Sequence, residues 1–298
     1  MARSYATTRL KCEAVYKLRQ EHSVKKMCKA LGIPQCSYYQ WSKQETKRNQ
    51  RRQREADLVQ TVRDVFEEHH RVYGCTKLLK VLNERVVQIN EYKLRRIMRE
   101  NGLYSVAIKK FKPYKPGKSD GMFAENRLQR NFAPFGLNQF WCGDITYIRT
   151  NLGWVYLAVV LDLFNREVIG YSISKNIDTE LVKNALGNAV ANRGTHENLV
   201  FHSDRGSQYS SRGYRNMLDS LGIVPSMSAP GCPYDNAAME SFFASLKKEQ
   251  VHHRSYADID EVREDLFKYI ELFYNRKRLH SSLGYLTPVA YRLQKLIA

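Results

Sequence analysis

Residues 138–174 read NQFWCGDITYIRTNLGWVYLAVVLDLFNREVIGYSIS, and the parsing of that stretch decides the fold. NQFWCGDITYIRT alternates as a half-buried strand does, WVYLAVVLDLF is a continuous apolar run suited to a central strand, and REVIGYSIS follows a turn at Asn165. Short connections make the three an antiparallel meander. Downstream come a helix (TELVKNALGNAVANR), a strand (NLVFHSD), a helix (SRGYRNMLDSLG), a brief strand from Val224 to Met227 and a long helix from Asp235. The order βββαβαβα predicts an α/β, ribonuclease-H-like core, a mixed five-stranded sheet flanked by helices.

Upstream, the pattern is helical throughout. Residues 7–21 form one helix, Ser23 caps VKKMCKAL, and Gly32 stops it. After the GIP turn, QCSYYQWSK starts another helix, the layout of a helix-turn-helix unit whose second helix enters the major groove. Gln35, Ser37 and Tyr38 lie at its start as candidate DNA contacts, although Tyr38, Tyr39 and Trp41 equally suit the packing of a plain helical hairpin. KQETKRNQRRQR is then a charged linker or a helix extension. A second helical block, about 55–103, ends in INEYKLRRIMREN, which concentrates Lys93, Arg95, Arg96 and Arg99, either a further DNA-contacting module or a solvated basic face. The organisation expected is a helix-turn-helix module over 1–46, a second helical module over 53–105, a basic linker over 106–136, the catalytic core over 137–256 and a helical extension over 257–298. In the linker, Lys109 and Lys110 open a run of five lysines positioned to follow phosphates.

Charge divides the chain in the same place. Residues 1–136 hold 30 Lys and Arg against 13 Asp and Glu, or +17, whereas 137–298 hold 18 against 17, or +1. A segregated positive field points to a polyanion partner. No apolar run reaches spanning length, and the six scattered cysteines (Cys12, Cys28, Cys36, Cys75, Cys142 and Cys232) form no CxxC pair, so the expected setting is a reducing cytoplasm. His69, His70 and Cys75 read as a helix end and an unrelated thiol rather than a metal cluster.

Three acids sit in distinctive surroundings: Asp144 in WCGDITYI, Asp204 in VFHSDRGSQY and Glu240 in YDNAAMESFFASLK. The 35 residues between the last two carry little weight, because acidic pairs at that separation recur by chance. Placement carries more. Asp144 falls within the first strand and Asp204 at the end of the fourth, while Met239, Phe242, Phe243 and Leu246 form the buried stripe of the last helix. Glu240, Ala244 and Lys247 share a neighbouring stripe, with Lys247 two turns, roughly 10 Å, beyond the acid. Three converging carboxylates repel unless a cation is present, and hard oxygen ligands suit two Mg²⁺ or Mn²⁺ ions. Asp162, Asp178 and Asp235 read as turn or cap residues. Ser203, Arg205, Gln208 and Asn236 are candidates for supporting the acids or touching DNA.

KALGIPQCSYYQW, YGCTKLLKVLNER with RRIMRENGLY, GDITYI, LAVVLDLFNREVIGYSIS, HSDRGSQY, PYDNAAMESFFASLK and YNRKRLHSSLGYLTPVAY together span nearly the whole chain. In combination they resemble the DDE transposases of bacterial insertion sequences, specifically the OrfB-type product of the insertion sequence three family. The core is also similar to that of retroviral integrases, with helix-turn-helix modules in place of their zinc-binding amino-terminal domain. The resemblance implies 3′-end nicking and strand transfer by 3′-hydroxyl attack, with Asp144, Asp204 and Glu240 as metal ligands and Lys247 beside the reacting phosphate. It further implies action on terminal inverted repeats and target DNA as a homo-oligomer at the nucleoid, and a frameshifted fusion with an upstream OrfA product. Two other readings remain open at this point: a DNA-binding regulator inactive without that fusion, and a ribonuclease H acting on RNA hybrids, which leaves the basic modules unexplained.

Overall fold

The computed structural model describes residues 7–108, 134–228 and 236–297. Lys109, Lys110, Cys232, Asp235 and most of the expected linker lie outside them. The chain clusters into two compact units, Met1–Val65 and Phe66–Ala298.

In the first unit, α1 (Thr8–Leu18) starts at Thr7, whose hydroxyl accepts the Leu10 N–H, and α2 (Val24–Leu31) stops at Gly32, which adopts the left-handed φ of 64° that an L side chain resists. The third helix, α3 (Gln35–Glu68), runs unbroken for 34 residues, so the charged KQETKRNQRRQR stretch is helix extension and not linker. Its long Lys, Arg, Gln and Glu side chains lose little rotamer freedom in a helix, which sustains it without a buried face. The small core comprises Cys12, Val15, Cys28, Ile33 and Tyr38, with Tyr16 meeting Trp41 edge to face at 5.8 Å.

The second unit opens with α4 (Cys75–Glu84) and α5 (Glu91–Glu100), the latter capped by Asn90 Oδ1 accepting the Lys93 N–H at 2.8 Å. The sheet follows: β1 (Phe140–Thr150), β2 (Gly153–Asp162), β3 (Val168–Ser174), β4 (Val200–Ser203) and β5 (Val224–Met227), in the spatial order β3-β2-β1-β4-β5. The first three strands pair antiparallel, as the meander requires, and β4 joins β1 in parallel with Gly143 opposite Ser203. Between them α6 (Thr179–Arg193) is capped by Asp178, which accepts the Leu181 N–H, and α7 (Ser207–Ser210) and α8 (Arg212–Ser220) follow β4. After β5 come α9 (Ala237–Glu249), α10 (Ile259–Phe267), a π-helical stretch over Lys268–Tyr274 and α11 (Pro288–Ile297). This mixed sheet flanked by helices is the ribonuclease-H-like layer arrangement expected from the element order.

Strand alternation gives the sheet two faces. Trp141, Ala158, Val160 and Ile169 pack with Leu181, Ala185, Leu186 and Ala189 of α6 and with Tyr214 and Leu218 of α8. Gly170 is required by that contact: a Cβ there would stand 2.4 Å from both Ala185 O and Ala189 N. The residues after 257 are stitched into the unit. Asn275 pairs with the β3 backbone through Val168 N (3.0 Å) and Val168 O (2.9 Å), and the Tyr73 hydroxyl donates to Lys277 O while accepting the Leu279 N–H, both at 2.9 Å. Glu249 and Arg278 form a buried ion pair, with Arg278 Nη2 2.6 Å from Oε1, and the Tyr269 hydroxyl donates to the same carboxylate. Asp162 is wholly buried; it accepts the Phe164 N–H in the β2–β3 turn and ties that turn to the start of β1 by accepting the Asn138 N–H.

Candidate active site

Asp144 and Asp204 follow the last register pair of β1 and β4, so two adjacent parallel strands deliver them side by side. Neighbouring strands lie about 5 Å apart. Since Trp141 and Ile145 face the α6 and α8 layer, alternation turns Asp144 to the opposite face, where α9 packs. On the other face, Gly143 makes room for Phe201, whose Cζ a Cβ there would meet at 2.4 Å. Met239, Phe242, Phe243 and Leu246 anchor α9 through its buried stripe and leave Glu240 exposed at its first turn and Lys247 half-buried two turns on.

The carboxyls act on one another electrostatically. The Asp144 carboxyl is pushed up to about 8, first by burial and then by the nearby charges of Asp204 and Glu240, while the Ile145 N–H and Lys247 oppose the shift. Asp204 stands at the open end of the sheet, yet enough protein surrounds its carboxyl for burial to raise its pKa against the pull of the Gly206 N–H. Burial lowers the Lys247 ammonium and Asp144 partly restores it. The Lys247 Nζ lies 4.4 Å from the Tyr147 ring centroid.

Asp144 Oδ1 accepts the Ile145 N–H at 2.7 Å, and Oδ2 accepts Asn236 Nδ2 at 2.9 Å. Asp204 Oδ1 accepts the Gly206 N–H at 2.9 Å. Among the described residues no three acidic, His or Cys side chains gather closely enough to hold one ion between them. The donor chemistry nevertheless fits a hard divalent cation. Every donor is an oxygen, the mutual repulsion at Asp144 is what a cation relieves, and the Asn236 Oδ1 beside it is buried without a hydrogen-bond partner.

Other candidates fall differently. Tyr38 is 2% exposed within the first unit's core, so it packs and does not face DNA. Asn236 is likewise buried and spends its amide on Asp144, which makes it a support for the acid and not a surface contact. Gln35 is exposed and Ser37 partly so, Arg99 is exposed, and Arg95 and Arg96 pair along their own helix with Glu91 and Glu100. Arg205 Nε donates to Ser228 O, Ser203 Oγ to Asp204 O and Gln208 Nε2 to Ile177 O, so all three hold the ends of β4 and its loop. The His69 ring lies 4.6 Å from that of Tyr73, and Cys75 Sγ donates to Glu91 O. The sequence reading passed over His202, which is buried between the hydroxyls of Ser226 and Ser228 and ties β4 to β5 next to Asp204. Its alternating, two-faced strand gave no sign of that pairing across 24 and 26 residues.

Family models match the chain in three stretches: an integrase core domain over 136–233 and again over 221–288, and an HTH-like domain over 52–111. The chain is 37% identical over 282 residues to the transposase InsF for insertion sequence IS3A of Escherichia coli (strain K12), covering 95% of this chain and 98% of that one. It is 35% identical over 266 residues to an uncharacterized 31 kDa protein of insertion element IS600 from Shigella sonnei, covering 89% and 97%. Among solved structures, a chain of the simian T-cell lymphotropic virus intasome is similar at 18% identity and a TM-score of 0.45, over 77% of this chain and 73% of that one.

Proposed function

The chain belongs to the IS3 family of insertion-sequence transposases, and from that membership we propose that it nicks the 3′ ends of its element and joins them to target DNA at Asp144, Asp204 and Glu240. One observation carries the reading: the parallel strands β1 and β4 end together at Asp144 and Asp204, and Asn236 at the start of α9 holds the Asp144 carboxylate at 2.9 Å. Burial together with neighbouring acids is the setting in which reactive carboxyls are commonly found.

Asp144, Asp204 and Glu240 would hold two Mg²⁺ or Mn²⁺ ions. Bound there, such ions activate an attacking oxygen and stabilise a leaving one in phosphoryl displacement. The chain's own groups do the rest. Asn236 and the Ile145 N–H fix the Asp144 carboxylate, the Gly206 N–H fixes Asp204, and Lys247 brings a cation to the phosphate. Gln35, Ser37, Lys93 and Arg99 bind DNA from the helical modules over 1–46 and 53–105, Lys109 and Lys110 from the linker over 106–136, and Arg95, Arg96 and Arg205 once released from their present partners. The core over 137–256 and the extension over 257–298 act as one catalytic body. The protein works on terminal repeats as a homo-oligomer, with an upstream OrfA product as its partner.

The test is cleavage and joining of a DNA carrying the element's ends with Mg²⁺, using Asp204→Asn. The variant should bind DNA as the parent does and lose product formation at least about a hundredfold. Unchanged product formation would sink the assignment.

A further inference from the structure

Beyond the acids, β1 carries an arrangement that the chemistry above does not use. Trp154 is 46% exposed and Tyr147 37%, with Leu152 open at the turn between their strands. Arg149 pairs with Trp154 across the β1–β2 ladder and Tyr147 pairs with Tyr156, so the two rings are diagonal neighbours. They meet edge to face, centroids 5.2 Å apart and planes at 88°. A cation attends each ring: the Arg149 guanidinium lies 5.1 Å from the Trp154 centroid and Lys247 Nζ 4.4 Å from that of Tyr147.

A cross-strand aromatic pair steadies a hairpin, but that role is served with the rings folded over their neighbours. Here much of an indole faces water, and positive charge borders it on both sides. Such a border disfavours an apolar protein face and suits a chain that alternates flat rings with negative charge. We propose that the β1–β2 hairpin is a stacking platform for unpaired nucleotides flanking the reacting phosphate, with bases on Trp154 and Tyr147 and phosphates at Arg149 and Lys247. This rests on the reading of Asp144 as the reaction site. Tyr147 and Arg149 lie three and five residues along the strand, roughly 10 and 17 Å of rise, on the face that alternation gives Ile145 and not Asp144, so it is Lys247 that joins the two regions. Its ammonium interacts with both Asp144 and the Tyr147 ring. Stacking of this kind tolerates any base sequence, so the platform holds frayed ends without selecting them.

The experiment uses the full chain with a chelator, a labelled 12-nucleotide oligothymidylate, and a duplex of equal length. Trp154→Ala should weaken oligothymidylate binding about tenfold and leave duplex binding within about twofold. In a Trp41→Phe background, Trp154→Phe should keep the affinity while abolishing the oligonucleotide-dependent quenching of tryptophan emission, the remaining Trp141 being wholly buried. Equal loss on both DNAs, no loss at all, or quenching that survives in that double variant overturns the proposal. So does a change of oligomeric state in Trp154→Ala without DNA, which would assign the patch to a protein interface. Because no metal is present, failure here leaves the Asp204→Asn result standing, and an inactive enzyme that still prefers single strands through Trp154 would refute the catalytic reading alone.

Discussion

Replacing Asp144 with Asn should stabilise the metal-free protein at alkaline pH while removing its chemistry. Burial, then Asp204 and Glu240, lift this carboxyl from 3.8 to about 8. A folded-state value above the unfolded one means that the native protein binds the proton more tightly. The stability it contributes is therefore full below about pH 4 and is lost as the pH rises through about 8. Four units correspond to a ceiling of about 6 kcal/mol. Water reaches the carboxyl's open side, and screening reduces the effect to about 1–3 kcal/mol. An amide carries no charge at any pH, but it cannot accept from both the Ile145 N–H and Asn236 Nδ2, and one lost hydrogen bond costs about 1 kcal/mol. Asp144→Asn should thus be about 1 kcal/mol less stable than the parent near pH 4 and about 0–2 kcal/mol more stable near pH 9. Urea denaturation in chelator, at half-unit pH steps, reads the crossing directly. A constant offset across the range would refute the placement of the repulsion at Asp144.

Three further outcomes follow from the packing and charge. Glu249→Ala strands the buried Arg278 guanidinium and removes the acceptor of Tyr269, and should cost about 3–5 kcal/mol in denaturant titration. Gly170→Ala sets a methyl against the α6 backbone at 2.4 Å, which a helix cannot yield, so a loss of more than about 2 kcal/mol or failure to fold is expected, seen as a lowered melting temperature or insoluble protein. If six to ten phosphates are neutralised by the basic half, raising salt from about 50 to 200 mM should weaken DNA binding about 10³- to 10⁵-fold in a titration, and a flat response would contradict the polyanion argument.

Much of the core was legible because its periodicities are local. The meander, the helix over Thr179–Arg193 and the strand over Val224–Met227 follow from alternation, apolar runs and an Asp cap. So did the stripe of α9 that separates Met239 and Phe242 from Glu240. Where the sequence left two readings open, packing chose between them. Tyr38 suited either a DNA contact or a helical hairpin, and the packing of α1 and α2 buries it. Asn236 suited either support of the acids or a DNA contact, and its partner Asp144 lies 92 residues away. The hairpin aromatics look like ordinary strand residues until Arg149 and Lys247 are seen beside them.

By itself, the sequence determined which residues are strand and helix, where the positive charge lies, and that three acids occupy two strand positions and one helix. Those properties depend on neighbours within a few residues, or on simple summation. Only the tertiary structure decided that β4 enters beside β1, that Asn236 reaches Asp144 and that burial holds that carboxyl near 8. Strand order, desolvation and repulsion between charges depend on distances in space, which residues far apart in the chain acquire only when the sheet and α9 close together.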